Sequence, residues 1–406
     1  MEKPLSLTRR SFNASSLALL GLGLVGCKPK RQDTFRVGLL SPRTGTDAQV
    51  GQACERGGRV AELLLKDLLP NLEVVYADTE SNVDIGRSKA EKHISDGTHI
   101  LIGAHNSSVT SSIAQVCEQR KIPFLINIAA AKRITEQGYQ YVFRNFPTTD
   151  DLTGNGLRLM QDLFRVTGHS PKTAALLYVN DTYGQSMYEA ISHWTPTLDL
   201  PFTLVETISY DPKAQDLSSE IAKVKRSKAE LLIPITRLND AIMMVREIVK
   251  QRCSFMGIIS PGSPGMYEKQ FYKILGDHSE HCITNTCWYN PTSPLAKRAL
   301  DCFYKLYPGE QFDLNVVFTI EAILIAADAY LRCQSFNGQD LQRALKETHI
   351  KDRIVYGGPI SFDQKGQAVN IKSVSLQNRG GSPQIILPRE LQQMEPVFPN
   401  PSWQVT

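Results

Sequence analysis

From Phe35 onward the chain alternates short aliphatic and β-branched runs with amphipathic stretches of helix length, and this alternation limits its possible folds more than any other feature. The short runs fall at 35–40, 72–77, 99–102, 124–127, 174–179, 204–209, 230–235 and 256–260. Helical patterns occupy 52–68, 84–95, 111–120, 151–166, 185–193, 217–228 and 238–251. Strands joined by helices of this length form βαβ units, and their parallel sheets are covered by helices on both faces. This is too many units for one small sheet, and a break at Phe146-Pro147-Thr148-Thr149 divides them into two lobes. After Trp288 the pattern turns helix-rich, at 295–307, 314–331 and 341–348, and then gives a hairpin-like segment at 360–366. The expected fold class is α/β, with two Rossmann-like lobes, each a parallel sheet flanked by helices.

The size and composition agree. The chain has 406 residues, 42% hydrophobic and 21% charged, enough for cores in two or three domains of about 100–200 residues. A net charge of +4 is far from the basic footprint of a nucleic-acid binder. The sequence has no G-x-S-x-G elbow, H-E-x-x-H helix, phosphate-binding P-loop or C-x-x-C pair. His105 stands two residues from Ser107 with no acid fixed to orient it, so no enzyme and no cofactor is expected. His278-Ser279-Glu280-His281-Cys282 with Cys287 holds zinc-compatible ligands, but the spacing fits no common site, and a polar loop is expected there.

The first residues read as an address. Arg9-Arg10-Ser11-Phe12 precedes an apolar run at 14–26, shorter than the roughly 20 residues that span a bilayer. This reads as a twin-arginine signal peptide over 1–26. It ends on Leu24-Val25-Gly26-Cys27, which resembles a bacterial lipobox, with Cys27 acylated and residues 27–33 as a tether. Residues 21–26 also match the dinucleotide pattern G-x-G-x-x-G, but no strand precedes them and no amphipathic helix follows. Export would place the other seven cysteines in an oxidising compartment. An odd number cannot all pair within one chain. Cys302 and Cys333 lie on successive helical segments, and the connectivity stays open.

Several motifs in order carry a family resemblance. They are Val37-Gly38-Leu39-Leu40-Ser41-Pro42 with Thr44-Gly45, Ala77-Asp78-Thr79, and Ile102-Gly103-Ala104-His105-Asn106-Ser107-Ser108. Lys121-Ile122-Pro123-Phe124, Ala129-Ala130-Ala131, Thr135-Glu136-Gln137-Gly138-Tyr139, Val142-Phe143-Arg144 and Asp181-Thr182-Tyr183-Gly184-Gln185 follow. Over residues 35–378 the chain resembles type I periplasmic binding proteins of the leucine/isoleucine/valine-binding kind, the solute receptors of ATP-driven importers. The resemblance implies two lobes joined by three crossovers, near Phe146, Thr284 and Lys351. Lobe one would be 34–146 plus 285–350, and lobe two 147–284 plus 351–400. It also implies a small-molecule solute in the cleft, an inner-membrane permease and ATPase as partners, and a place in the periplasm or at the cell surface, lipid-anchored to a bacterial membrane. A sensory receptor on the same fold, reporting to a separate signalling protein, is the alternative.

The candidate ligand residues lie after the strands. Ser107 and Ser108 precede a helix expected near Ser111, where hydroxyls and free N–H groups cradle an anion or cap the helix. The resemblance assigns this turn to a ligand carboxylate. It assigns Ala129, Ala130 and Ala131 to close backbone approach and Tyr183 to covering the ligand. Arg237, after the run at 230–235, is placed to clamp a second anion or to sit solvated at a helix start. Tyr178, Trp288, Tyr289 and Phe318 are further aromatic candidates. One departure stands out: the family typically has an acidic residue for an amino acid's ammonium where this chain has Ser260-Pro261-Gly262-Ser263. A buried unpaired cation is costly, so the expected solute carries a carboxylate or a neutral amide without a free α-amino group.

Overall fold

Two sheets organise residues 34–401, the part described by a computed structural model. The expected signal peptide, Cys27 and the expected tether at 27–33 lie outside these residues. Lobe one opens with β1 (Phe35–Ser41), α1 (Ala48–Leu65), β2 (Leu72–Asp78), α2 (Val83–Ser95) and β3 (Ile100–Gly103). It continues through α3 (Ser107–Arg120), β4 (Phe124–Ile126) and β5 (Val142–Arg144). Its strands run in the order β2-β1-β3-β4-β5, all parallel.

Lobe two repeats the plan. It contains α4 (Thr149–Thr167), β6 (Thr173–Val179), α5 (Thr182–Thr197), β7 (Thr203–Tyr210) and α6 (Ser218–Ser227). Next come β8 (Leu231–Ile235), α7 (Leu238–Lys250), β9 (Gly257–Ser260), α8 (Lys269–Leu275) and β10 (Ile283–Cys287). The chain then returns to lobe one with α9 (Pro294–Leu306), α10 (Leu314–Cys333) and α11 (Gly338–Lys346). It ends in lobe two with β11 (Ser373–Arg379) and β12 (Ser382–Leu387). The second sheet runs β12-β11-β10-β9-β8-β6-β7, with β11 and β12 antiparallel.

The central strands read as continuous apolar runs because helices cover both faces. Leu231, Leu232, Ile233 and Ile235 of β8 are all fully buried. Helix α10 is apolar around its whole circumference and packs along α1, as an enclosed core helix must. By length and a mean hydropathy of 1.7 it is able to cross a membrane, yet 78% of that stretch is buried inside the protein. At its centre Glu321 pairs with Arg353 at 2.7 Å, both side chains almost fully buried.

Ladder hydrogen bonds move two of the expected crossovers. Residues 283–287 pair with β9 and β11, so the second crossover falls at Trp288 and Tyr289. The backbone N–H of Arg144 donates to Gly366, and that of Ala368 donates to Arg144. Residues up to 368 therefore stay with lobe one, and the third crossover is at 369–372 rather than near Lys351. The two later crossovers also pair: Tyr356 N–H donates to Trp288, and Lys372 N–H donates to Tyr356. The seven described cysteines are all free thiols.

Candidate functional site

In sheets of this strand order, ligands bind beyond the carboxyl ends of the strands, at the point where the order reverses. That point lies between β1 and β3 in lobe one and between β6 and β8 in lobe two. Each lobe places an acid after the first of these strands and a base after the other. In lobe one these are Asp47 and His105, with His105 Nε2 3.8 Å from the Asp47 carboxylate. In lobe two they are Asp181 and Arg237, 2.6 Å apart. In each lobe the helix that follows the first of these strands, α1 or α5, starts close against the chain leaving it. A side chain at Gly51 would meet the Pro42 carbonyl at 2.1 Å, and one at Gly184 the Val179 carbonyl at 1.7 Å.

Between these two switch points lies a cavity. Lobe one contributes Val50, His105, Ser107, Ile128, Ala130 and Phe146 to its wall, and lobe two contributes Leu152, Tyr183, Arg237 and Tyr267. Thr286, at the end of β10, and Leu314 and Asn315, at the start of α10, close the end nearest the crossovers. The walls are mainly apolar, with the polar groups gathered around His105, Ser107, Tyr183 and Arg237. Outside them a wider cleft mouth is lined by Asp47, Asn106, Asp181, Asp240 and Glu268.

The electrostatics follow from burial and pairing. Burial works to raise the Asp47 carboxyl, but His105, Arg237 and the hydrogen bond from Asn106 outweigh it, holding Asp47 below the usual range. Burial lowers the pKa of His105 against the pull of Asp47. Burial opposes the charge on Arg237, but Asp181 and Asp47 more than restore it. Its guanidinium lies 5.4 Å from the centre of the Tyr183 ring, a cation–π contact. Burial, helped by nearby Asp313, pushes the Glu268 carboxyl up to about 8.

Of the eight residues singled out from sequence, Ser107, Ala130, Tyr183 and Arg237 line the cavity and the other four do not. Helix α3 begins at Ser107 rather than near Ser111, and the Ser108 hydroxyl turns to Asn106 Oδ1 at 3.3 Å. Ala130 belongs to the main core on the cavity side, whereas Ala129 and Ala131 belong to the separate core around α3. That is the alternation of an extended chain. Ser260 is buried against Ser263, their hydroxyls 2.6 Å apart. Arg237 is neither solvated nor free, because Asp181 holds it.

Sequence reasoning passed over Asp47 and Asp181, and weighed His105 only as a partner for Ser107. All three sit just past strands at a switch point, which is the signal that finds them. His281 and Cys282 serve the sheet rather than a metal: the His281 N–H donates to Asn378, whose own N–H donates to Cys282. Glu280 accepts the backbone N–H groups of Gly380 and Gly381. Among the described residues no three His, Cys, Asp or Glu side chains are grouped to hold a metal.

A family model described as periplasmic binding protein matches residues 34–374. The chain belongs to the periplasmic binding protein family. Its sequence is similar to Leu/Ile/Val-binding protein homolog 1 of Brucella abortus, with 24% identity over 334 residues, 81% of this chain and 86% of the relative. Its fold is similar to the branched-chain amino acid transporter substrate binding protein of Streptococcus pneumoniae solved with isoleucine. The TM-score is 0.76 at 16% identity, over 88% of this chain and 100% of the other. It is also similar to a solute binding protein of an ABC transporter from Rhodopseudomonas palustris solved with 3,4-dihydroxybenzoic acid. That TM-score is 0.74 at 20% identity, over 87% and 95% of the two chains.

Proposed function

We propose that the chain is the solute receptor of an ATP-driven importer, capturing a small carboxylate- or amide-containing solute that lacks a free α-amino group. The observation that carries this reading is the lining after β9. There Ser260 and Ser263 bond to each other and Ser263 to the Pro234 carbonyl, and the one acid in that segment, Glu268 at the cleft mouth, is held toward its neutral form by burial. The acids that might have stood in are engaged elsewhere: Glu321 with Arg353, and Asp240 with the Tyr210 hydroxyl and the Arg237 backbone. Ser107, at the N-terminus of α3, and the Arg237 guanidinium supply donors for an acceptor-rich group. Similar proteins solved with isoleucine and with 3,4-dihydroxybenzoic acid show that this fold houses solutes with and without an α-amino group. The receptor would work in the periplasm or at the cell surface, held to the membrane by acylated Cys27, and deliver its solute to a permease and ATPase.

A thermal-shift screen followed by calorimetry tests the solute class. The 2-oxo analogue of leucine, or an amide, is expected to bind more tightly than leucine, and leucine binding tenfold or more tightly overturns the reading. Arg237→Ala should weaken the bound solute at least tenfold. For the anchor, Cys27→Ser is expected to release the protein from the membrane fraction, and a variant as membrane-bound as the parent overturns acylation.

A further inference from the structure

The polar end of the cavity holds two buried atoms with unused hydrogen-bonding capacity. Tyr183 Oη and His105 Nδ1 have no partner among the described residues, although both side chains line the cavity. The far side of the imidazole decides what Nδ1 is. Nε2 lies 3.8 Å from the Asp47 carboxylate, whose charge favours the neutral tautomer with its hydrogen on that side, and Nδ1 is then the acceptor. The Tyr183 hydroxyl is a donor in need of an acceptor. A group that satisfies both must donate and accept at once.

The charges already present narrow the choice. Arg237 is matched by Asp181 at 2.6 Å and is also attracted by Asp47. These three groups sum to one negative charge, so an entering carboxylate adds a second and turns its lone pairs toward Nδ1. An ammonium brings donors only and leaves the Tyr183 hydroxyl without an acceptor. A zwitterion needs a carboxylate for its ammonium, and Asp47 and Asp181 are already turned to His105, Asn106 and Arg237, while Glu268, at the same cleft mouth, is buried and held toward its neutral form. We propose that the head group read by this site is a primary carboxamide, its N–H donating to His105 Nδ1 and its carbonyl accepting from the Tyr183 hydroxyl. Ile128, Phe146, Leu152 and Leu314 enclose the hydrocarbon body. This inference rests on the solute-receptor reading and narrows it, with His105 and Tyr183 setting specificity.

Calorimetry on the exported chain with 4-methylpentanamide, 4-methylpentanoate and leucine tests it, with benzamide and benzoate as an aromatic pair. An amide is expected to bind at least about tenfold more tightly than its matched carboxylate and than leucine, because a site built to pair polar groups rejects analogues that leave them unpaired. His105→Phe keeps a ring and removes the acceptor. It should weaken the amide at least tenfold and change the carboxylate less than threefold, and Tyr183→Phe should do the same. Melting curves confirm that both variants fold. If the carboxylate or leucine binds most tightly, or neither variant affects the amide, the head-group assignment is overturned while the receptor reading stands. If the solute screen finds only ligands without a neutral donor–acceptor group, the assignment is overturned in the same way. If no compound binds at all, both fall.

Discussion

Glu268 is the acid whose charge the fold tolerates least. Burial first, and then the repulsion of Asp313, raise its pKa from 4.5 to about 8. Because the folded pKa lies above the unfolded one, its neutral form is the one that suits the fold. The stability it contributes is complete below about pH 4.5 and is lost as pH rises through about 8. Glu268→Gln removes this titration. The variant is expected to match the parent near pH 4 and to exceed it at pH 9 by roughly 2–5 kcal/mol. Denaturant midpoints across that range check it, and parallel pH profiles would count against a buried titrating acid. None of this was readable in the sequence, where Glu268 is one acid on a loop, because its burial depends on α8 and on the start of α10. Ser107 and Tyr183 were readable because motif order places them just past strands. Ser108, Ala129 and Ala131 are their chain neighbours, and only the backbone geometry separates those that line the cavity from those that do not.

At the scale of elements, β5 has a role beyond extending its sheet. It carries Arg144, which is fully buried and donates to the carbonyls of Ala129 and Ala131, to Thr135 Oγ1 and to Gln367 Oε1. Gln367 in turn donates to the Phe146 carbonyl at 2.8 Å. The loop behind Ala130, the first crossover and the segment leading to the third are thereby tied to one guanidinium. Burial lowers its pKa to about 10, which leaves it charged at neutral pH. Arg144→Met strips a partner from each of these buried acceptors and should cost at least about 3 kcal/mol, at roughly 1–3 kcal/mol per unsatisfied group. Arg144→Lys should recover only part, because an ammonium cannot reproduce the planar fork. Chemical denaturation of the two variants decides, and a lysine variant as stable as the parent would show that the fork is not what matters. The helices other than short α8 were readable from periodicity, and eight of the first nine strands from their aliphatic runs, the three-residue β5 being the exception. β10, with the sequence ITNTC, hid because its polar residues bond inward: Asn285 donates to the Gly156 carbonyl and accepts from the Ser375 hydroxyl. The β11–β12 hairpin carried a signal that was passed over, Gly380-Gly381 between two strand-like runs, both at positive φ, as a tight hairpin turn requires.

The whole molecule is a pair of lobes whose closure rests on few contacts away from the crossovers. Arg133 reaches from lobe one to the Thr182 hydroxyl at 3.0 Å. Gln311 donates to the Tyr267 carbonyl at 2.9 Å, and Lys269 of lobe two donates to the Gly309 carbonyl. Hydrogen bonds of this kind each contribute only about 0.5–1.5 kcal/mol, a weak tie for lobes that, on the receptor reading, open and close around a solute. A solute that contacts both walls binds the closed form alone, and at a hundredfold excess over its Kd it adds about 2.7 kcal/mol to that form. On the receptor reading the crossovers are the hinge: Trp288, Tyr356 and Lys372 are joined by backbone hydrogen bonds that hold the two later connections side by side. Small-angle scattering is therefore expected to show the radius of gyration falling when the solute found by screening is added to saturation. The double variant Gln311→Ala/Lys269→Ala should enlarge the solute-free particle and weaken binding several-fold, while the saturated particle keeps the parent's radius. A radius that saturating solute leaves unchanged, in both the parent and the double variant, would mean that the lobes do not close around their ligand.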